Sequence, residues 1–257
     1  MSDAVAMAGA EVRIGGRLIL GPLDLVIGAG ERWVLLGPNG CGKTTALSLM
    51  GARRQPSAGT VDVLGERLGR VDARALRPRI GHVSHRVADA LRGEATVLDT
   101  VLTGRDATLV RWWQRFDEED VARAHALLAS IGCDGLADRP LATCSLGERQ
   151  RVLIARALFG EHELLLFDEP AAGLDLPARE RLLNAMTEAV GPTTVLATHH
   201  LEEVPATTTH AALLRDGRVL AAGAIDGVVV DGRLSACFGM PIVVGRADGR
   251  WTARAAG

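Results

Sequence analysis

Tyrosine does not occur in this chain of 257 residues, and lysine occurs once, as Lys43. The other basic side chains are arginines. The formal net charge is −2, which leaves no global electrostatic case for nucleic acid as a partner. The four cysteines, Cys41, Cys133, Cys144 and Cys237, show neither a CxxC pair nor a Cys/His spacing. That excludes a recognisable metal-finger pattern and points to free thiols in a reducing cytosol. No apolar stretch approaches the length of a membrane span. The opening MSDAVAMAGAEVR has an acid at Asp3 and no basic segment before an apolar run, so a secretory signal is not expected. A soluble protein is expected, with any membrane role requiring a partner. What is present is 47% hydrophobic and 23% charged residues. That suffices for a substantial core, as one large domain or two lobes.

Apolar runs bounded by turn residues predict strands at 11–14, 23–27, 32–36, 60–63, 80–83, 164–167, 193–197, 211–214 and 218–221. Helical patterns lie at 44–51, 118–131, 146–159 and 177–190. Strands alternating with helices predict an α/β fold around a largely parallel sheet. The stretch from about 95 to 140 reads as a helical insert. The last thirty residues read as a small α/β tail.

One segment carries chemistry by itself. LLGPNGCGKTT (35–45) contains the full G-x-x-x-x-G-K-[ST] pattern, with the run WVLL before it and a helical pattern after it. Triphosphate oxygens need many donors at close range. The loop Gly37, Pro38, Asn39, Gly40, Cys41, Gly42, Lys43, Thr44 and Thr45 can supply them, because its glycines let backbone N–H groups turn inward. The helix N-terminus adds a favourable dipole. Lys43 is expected on the β- and γ-phosphates and the Thr44 hydroxyl on Mg²⁺. Cys41 fits as a small loop residue. LLLFDEP (164–170) then reads as a buried parallel strand ending in two carboxylates at the ligand edge. Asp168 can hold the magnesium shell, and Glu169 is placed to orient or deprotonate an attacking water.

TCSLGERQRVLIARAL (143–158) narrows the class. Ser145 and Glu148 make an S-x-x-E capping box, so a helix should start here with its first amides and the serine hydroxyl free to meet an anion. A cap with no ligand is the plainer meaning of the same pattern. With the phosphate loop and the acidic strand in this order, the chain resembles the ATP-binding cassette (ABC) ATPases over nearly its whole length. Their LSGGQ signature corresponds to Cys144-Ser145-Leu146-Gly147-Glu148. AAGLD (171–175) resembles their D-loop, with Asp175, and ATHHLEE (197–203) their switch-histidine segment, with His199.

The resemblance implies a P-loop NTPase of the ABC ATPase fold. Its parts would be a RecA-like core sheet, N-terminal antiparallel strands and a helical subdomain. It implies one nucleotide-binding domain over 1–257, with the helical subdomain at about 91–154 and a small extension at 225–257. It implies ATP and Mg²⁺ as cofactors and two copies paired head-to-tail around two ATP. Ser145 and Gly147 would then meet the γ-phosphate held by the partner, and His199 the γ-phosphate in its own chain. His200 would face away.

Leu146 and Glu148 depart from LSGGQ. Ile14 stands where the family stacks an aromatic on adenine. That leaves an apolar contact and loose base discrimination, with Arg13 or Arg17 able to compensate by stacking. His85 stands where a glutamine offers oxygen to Mg²⁺ and water. Mg²⁺ prefers oxygen, so contact through water suits a histidine better. Its protonation would depress activity below about pH 6. A loop histidine turned to solvent is the alternative.

A single ABC domain most often works under a separate transmembrane permease, at the cytoplasmic face of the membrane. The paired Trp112 and Trp113 in VRWWQRF (110–116) suit either a core or, if exposed, an interface anchor. VVVDGRLSACFGMPIVV (228–244) resembles the tails of iron-complex and metal-chelate importers, which points to iron-complex uptake. The competing reading is a soluble single-cassette ATPase, such as one for iron–sulfur cluster assembly.

Overall fold

A computed structural model describes residues 3–84, 87, 91, 94–108 and 115–256. The chain opens with two long strands, β1 (Asp3–Ile14) and β2 (Arg17–Gly28), joined at Gly15-Gly16, where both φ values are positive. Alternate residues Leu23, Leu25 and Ile27 are buried while Val26 is exposed, the period-two pattern of a strand with one dry face. β3 (Arg32–Leu36) runs into the phosphate loop and helix α1 (Lys43–Met50). β4 (Ala58–Val63) and β5 (Glu66–Arg67) return to β1, giving an antiparallel sheet ordered β2-β1-β4-β5. β6 (Ile80–Val83) follows.

Between β6 and the next strand lie α2 (Val97–Leu102), α3 (Glu118–Ser130) and α4 (Leu146–Phe159). Among the described residues of this insert the only strand-like pairing is the bridge of Thr96 to Pro140. Asp117 caps α3, and Ala124 and Leu128, one turn apart, bury its inner face. Then come β7 (Leu164–Asp168), α5 (Leu176–Glu188), β8 (Thr193–Thr198), β9 (His210–Arg215), β10 (Arg218–Ala224), α6 (Asp231–Phe238), β11 (Ile242–Ala247) and β12 (Arg250–Ala255).

The central sheet is ordered β10-β9-β3-β8-β7-β6, parallel except for β10. β3 and β6 to β9 are buried along most of their length, which explains their unbroken apolar runs, while every other residue of the edge strand β10 is exposed. Trp33, Leu35, Leu164 and Leu166 pack toward α1 and the antiparallel sheet. Val34, Leu36, Leu165 and Phe167 pack toward the helices of the opposite layer. The C-terminal ends of β3, β7 and β8 therefore meet at one edge.

The first strands differ from the sequence expectation. β1 and β2 are twelve residues each, because pairing with neighbours extends strands whose own alanines and glycines signal weakly. β11 and β12 form a hairpin in the tail. Its turn is Asp248-Gly249, both at positive φ, the residue pair such a turn favours. Finally, His85, Trp112 and Trp113 lie outside the described residues.

Candidate active site

Gly37 has no room for a side chain. A Cβ there would sit 2.1 Å from the Leu214 carbonyl oxygen and 2.8 Å from Cys41 Sγ. Gly42 has φ 107° and lies against Leu20, and it caps α1 without any side-chain hydrogen bond. The first amides of α1 thus face the loop with no side-chain acceptor of their own, an arrangement suited to an anion. Lys43 is buried, and its Nζ donates to the carbonyls of Gly37 (2.8 Å) and Pro38 (3.2 Å). The same nitrogen lies 3.4 Å from Glu169 Oε1. Cys41 is buried, and desolvation pushes its thiol pKa up, the opposite of what a reactive thiolate needs.

Asp168 ends β7 and accepts a hydrogen bond from the Thr44 hydroxyl at 3.0 Å. Glu169 follows in the left-handed region (φ 49°), a conformation that costs a non-glycine residue about 1–3 kcal/mol. Its N–H donates to the Ala197 carbonyl at 2.9 Å, which ties the turn to β8. One carboxylate oxygen faces Lys43 and the other lies 2.8 Å from His199 Nδ1. A carboxylate held between an ammonium and an imidazole, beside a phosphate loop, can accept a proton from a bound water. The cleft around these groups has a volume of about 460 Å³, with Ile19, Asn39, Gly40, Thr45 and Ala172 completing its wall.

The signature segment lies outside that wall. Ser145 caps α4 in a reciprocal box: its Oγ accepts from the Glu148 N–H (3.3 Å), and its own N–H donates to Glu148 Oε2 (2.6 Å). Those bonds hold the Glu148 carboxyl below its ordinary pKa. The box therefore engages the Glu148 amide and one lone pair of the Ser145 hydroxyl within the helix, part of the set expected to stand free. A Cβ at Gly147 would meet Leu174 only at 3.7 Å, ordinary contact, so nothing inside this chain requires glycine there. Leu146 is 67% exposed. Asp175 caps α5 by accepting from the Ala178 N–H.

Ile14 sits at the tip of the β1–β2 hairpin, 49% exposed, and the apolar residue on the cleft wall is Ile19. No sequence signal marked Ile19; the way β2 packs over Gly42 puts it on the wall. Arg13 is engaged by Glu11 on its own strand. The His200 ring lies against that of His199, with centroids 3.9 Å apart, and His199 alone of the two lines the cleft. Gln150, in the QR pair after the signature, donates to the Pro170 carbonyl and links α4 to the turn after Glu169.

A phosphate loop, an acid pair and a signature helix on this α/β frame define an ABC-type cassette. The chain belongs to the ABC transporter family, whose model matches residues 20–172. It is 37% identical over 234 residues to the ABC transporter ATP-binding protein YlmA of Bacillus subtilis, covering 89% of this chain and 88% of that one. It is 35% identical over 249 residues to the hemin import ATP-binding protein HmuV of Streptomyces coelicolor, covering 93% and 84%. Among solved structures it resembles the dimeric cassette MJ0796 bound to ADP and Pi in a post-hydrolysis state. The TM-score is 0.74 and the identity 25%, covering 86% of this chain and 98% of that one. The protein is thus an ABC ATPase, the ATP-binding subunit of a transporter. Among the described residues no helix is long and apolar enough to cross a membrane.

Proposed function

We propose that this chain hydrolyses ATP as one half of a head-to-tail pair, seated on the cytoplasmic face of a separate membrane permease, and that the cargo is an iron complex. In this reading 1–257 is one nucleotide-binding domain. The helices of 91–154 form its signature-bearing subdomain, and 225–257 its extension. The carrying observation is a division of labour. Lys43, Thr44, Asp168, Glu169 and His199 converge on one cleft, while Ser145 and Gly147 do not line it. The open position of Gly147, which no contact within the chain explains, fits an approach by a partner's nucleotide. The cargo reading rests on the tail resemblance and on the hemin importer among the relatives.

Within each cleft the phosphate loop binds the triphosphate and Lys43 takes its terminal oxygens. Glu169 accepts the water proton, and His199 holds Glu169 in place and faces the γ-phosphate. The donor set fits Mg²⁺: the Thr44 hydroxyl and the Asp168 carboxylate are hard oxygen ligands already adjacent at 3.0 Å, with His85 as the loop residue that would contribute through water. When bound, the ion neutralises charge on the phosphate oxygens.

Size measurement of the Glu169→Gln protein with ATP tests the pairing, and co-purification from membranes tests the permease. Dimers that appear with ATP and a recovered membrane-spanning partner are the expected results. A monomer that turns over ATP at full rate, or a chain that recovers only soluble partners, overturns the reading.

A further inference from the structure

The C-terminal hairpin touches the segment that carries His199. Trp251 on β12 is buried in the same core as Leu201 and Val204, which open and follow the short helical turn Leu201–Glu203 just after His199-His200. Next to it, Arg250 forks. Its Nη1 donates to Glu180 Oε2 at 2.8 Å, and its Nη2 donates to the Glu202 carbonyl at 2.9 Å. Glu180 lies on α5, the helix that Asp175 caps, and the Arg250 hydrogen bonds hold its carboxyl below its ordinary pKa. One guanidinium thus joins the helix after the D-loop to the segment after His199.

The switch segment is closed on itself at its other end. The Thr198 hydroxyl accepts from the His200 N–H at 3.1 Å and donates to the buried Glu203 carboxylate. Residues 198–203 therefore have little internal freedom, and what remains to be set is where the loop sits as a body. The hairpin is anchored well enough to set it. The Val244 N–H donates to Asp231 (2.8 Å) and the Ile242 N–H to Ser235 (2.9 Å), both on α6.

An ion pair with partners this exposed contributes little to stability. Its fixed planar geometry is another matter, because a guanidinium with two acceptors defines a distance between them. We propose that Arg250 is a positioning residue for hydrolysis: it fixes His199, and through it Glu169, relative to the D-loop helix. The proposal rests on His199 acting on the γ-phosphate.

Steady-state ATP turnover of the purified chain against ATP concentration, with a thermal melt of each variant, tests it. Arg250→Gln is expected to lower kcat roughly tenfold, the scale of a small misplacement of a catalytic group. KM should stay within about twofold, because the phosphate loop is untouched. Glu180→Gln, a change on an exposed helix face, should show the same split and keeps the test alive if Arg250→Gln folds poorly. The double variant should be no worse than the more affected single one. Unchanged kcat in both single variants overturns the proposal. So does a kcat loss that tracks a rise in KM and a lowered melt, or losses that multiply in the double variant. His199→Ala run alongside separates the failures. If it keeps full kcat, the reading of His199 falls and this proposal with it; if it loses kcat while Arg250→Gln does not, only this proposal falls.

Discussion

The N-termini of α1 and α4, both assigned to phosphate in the proposed function, are finished differently. At α1 the cap is Gly42 in a left-handed conformation with no side-chain hydrogen bond. At α4 the cap is Ser145, bonded reciprocally with Glu148. The first end is open and has Lys43 beside it. The second already carries a carboxylate on its positive pole. At the first an anion meets the helix amides without displacing a side-chain acceptor, whereas at the second it must share or displace Glu148. That difference suits the proposed division, in which one end binds nucleotide in its own chain and the other meets the nucleotide that a partner presents.

The largest effect expected is at the open end. Glu169→Gln should cut turnover by roughly 10²–10⁴ while ATP still binds, read by phosphate release and nucleotide titration. A loss of only a fewfold would mean that the proton acceptor lies elsewhere.

The far end of α1 offers a pH test. His82 is buried below Gly51, its Nδ1 accepts from Arg53 Nε at 3.0 Å, and its Nε2 has no partner. Burial, with the Arg53 charge adding to it, lowers its pKa to about 3. The unfolded chain takes up a proton near pH 6.5 and the folded one does not. Stability therefore falls as pH drops from about 6.5 toward 3, by about 2 kcal/mol at pH 5. Urea midpoints at pH 8 and pH 5 should show the loss, and His82→Leu should remove that share of it.

Gly42 of the phosphate loop and Gly147 of the signature provide the sharpest contrast between the helix ends. Gly42→Ala meets Leu20 at 2.9 Å with φ at 107° and should cost about 1–2 kcal/mol in the isolated chain. Gly147→Ala should leave the melt unchanged and yet lower turnover. Equal destabilisation by both would erase the distinction. Smallest is Ser145→Ala, with about 1 kcal/mol lost from the α4 cap, visible as a lower urea midpoint.

The phosphate loop, the acid pair and both caps were legible in the sequence because each is a local device. Gly37 to Thr45 is contiguous, and Ser145 reaches only to Glu148. The Glu169–His199 contact was not read, since thirty residues separate the two; the resemblance pointed His199 only at the γ-phosphate. The place of Ile19 on the cleft wall and the hairpin of β11 and β12 were not read. Ile19 depends on how β2 crosses the phosphate loop, and the Asp248-Gly249 turn, although visible, says nothing about where its strands dock.

Amino-acid order alone therefore determined that this chain binds nucleotide triphosphate at a strand–loop–helix junction, because backbone curvature and helix caps are set by neighbours in sequence. Tertiary structure decided the rest. It put Lys43 and His199 on either side of the Glu169 carboxylate in one cleft, left the Ser145 cap outside that cleft, and brought Arg250 across to Glu180 and Glu202. Those contacts join residues scores of positions apart, and only the packing of the two layers on the central sheet sets their distances.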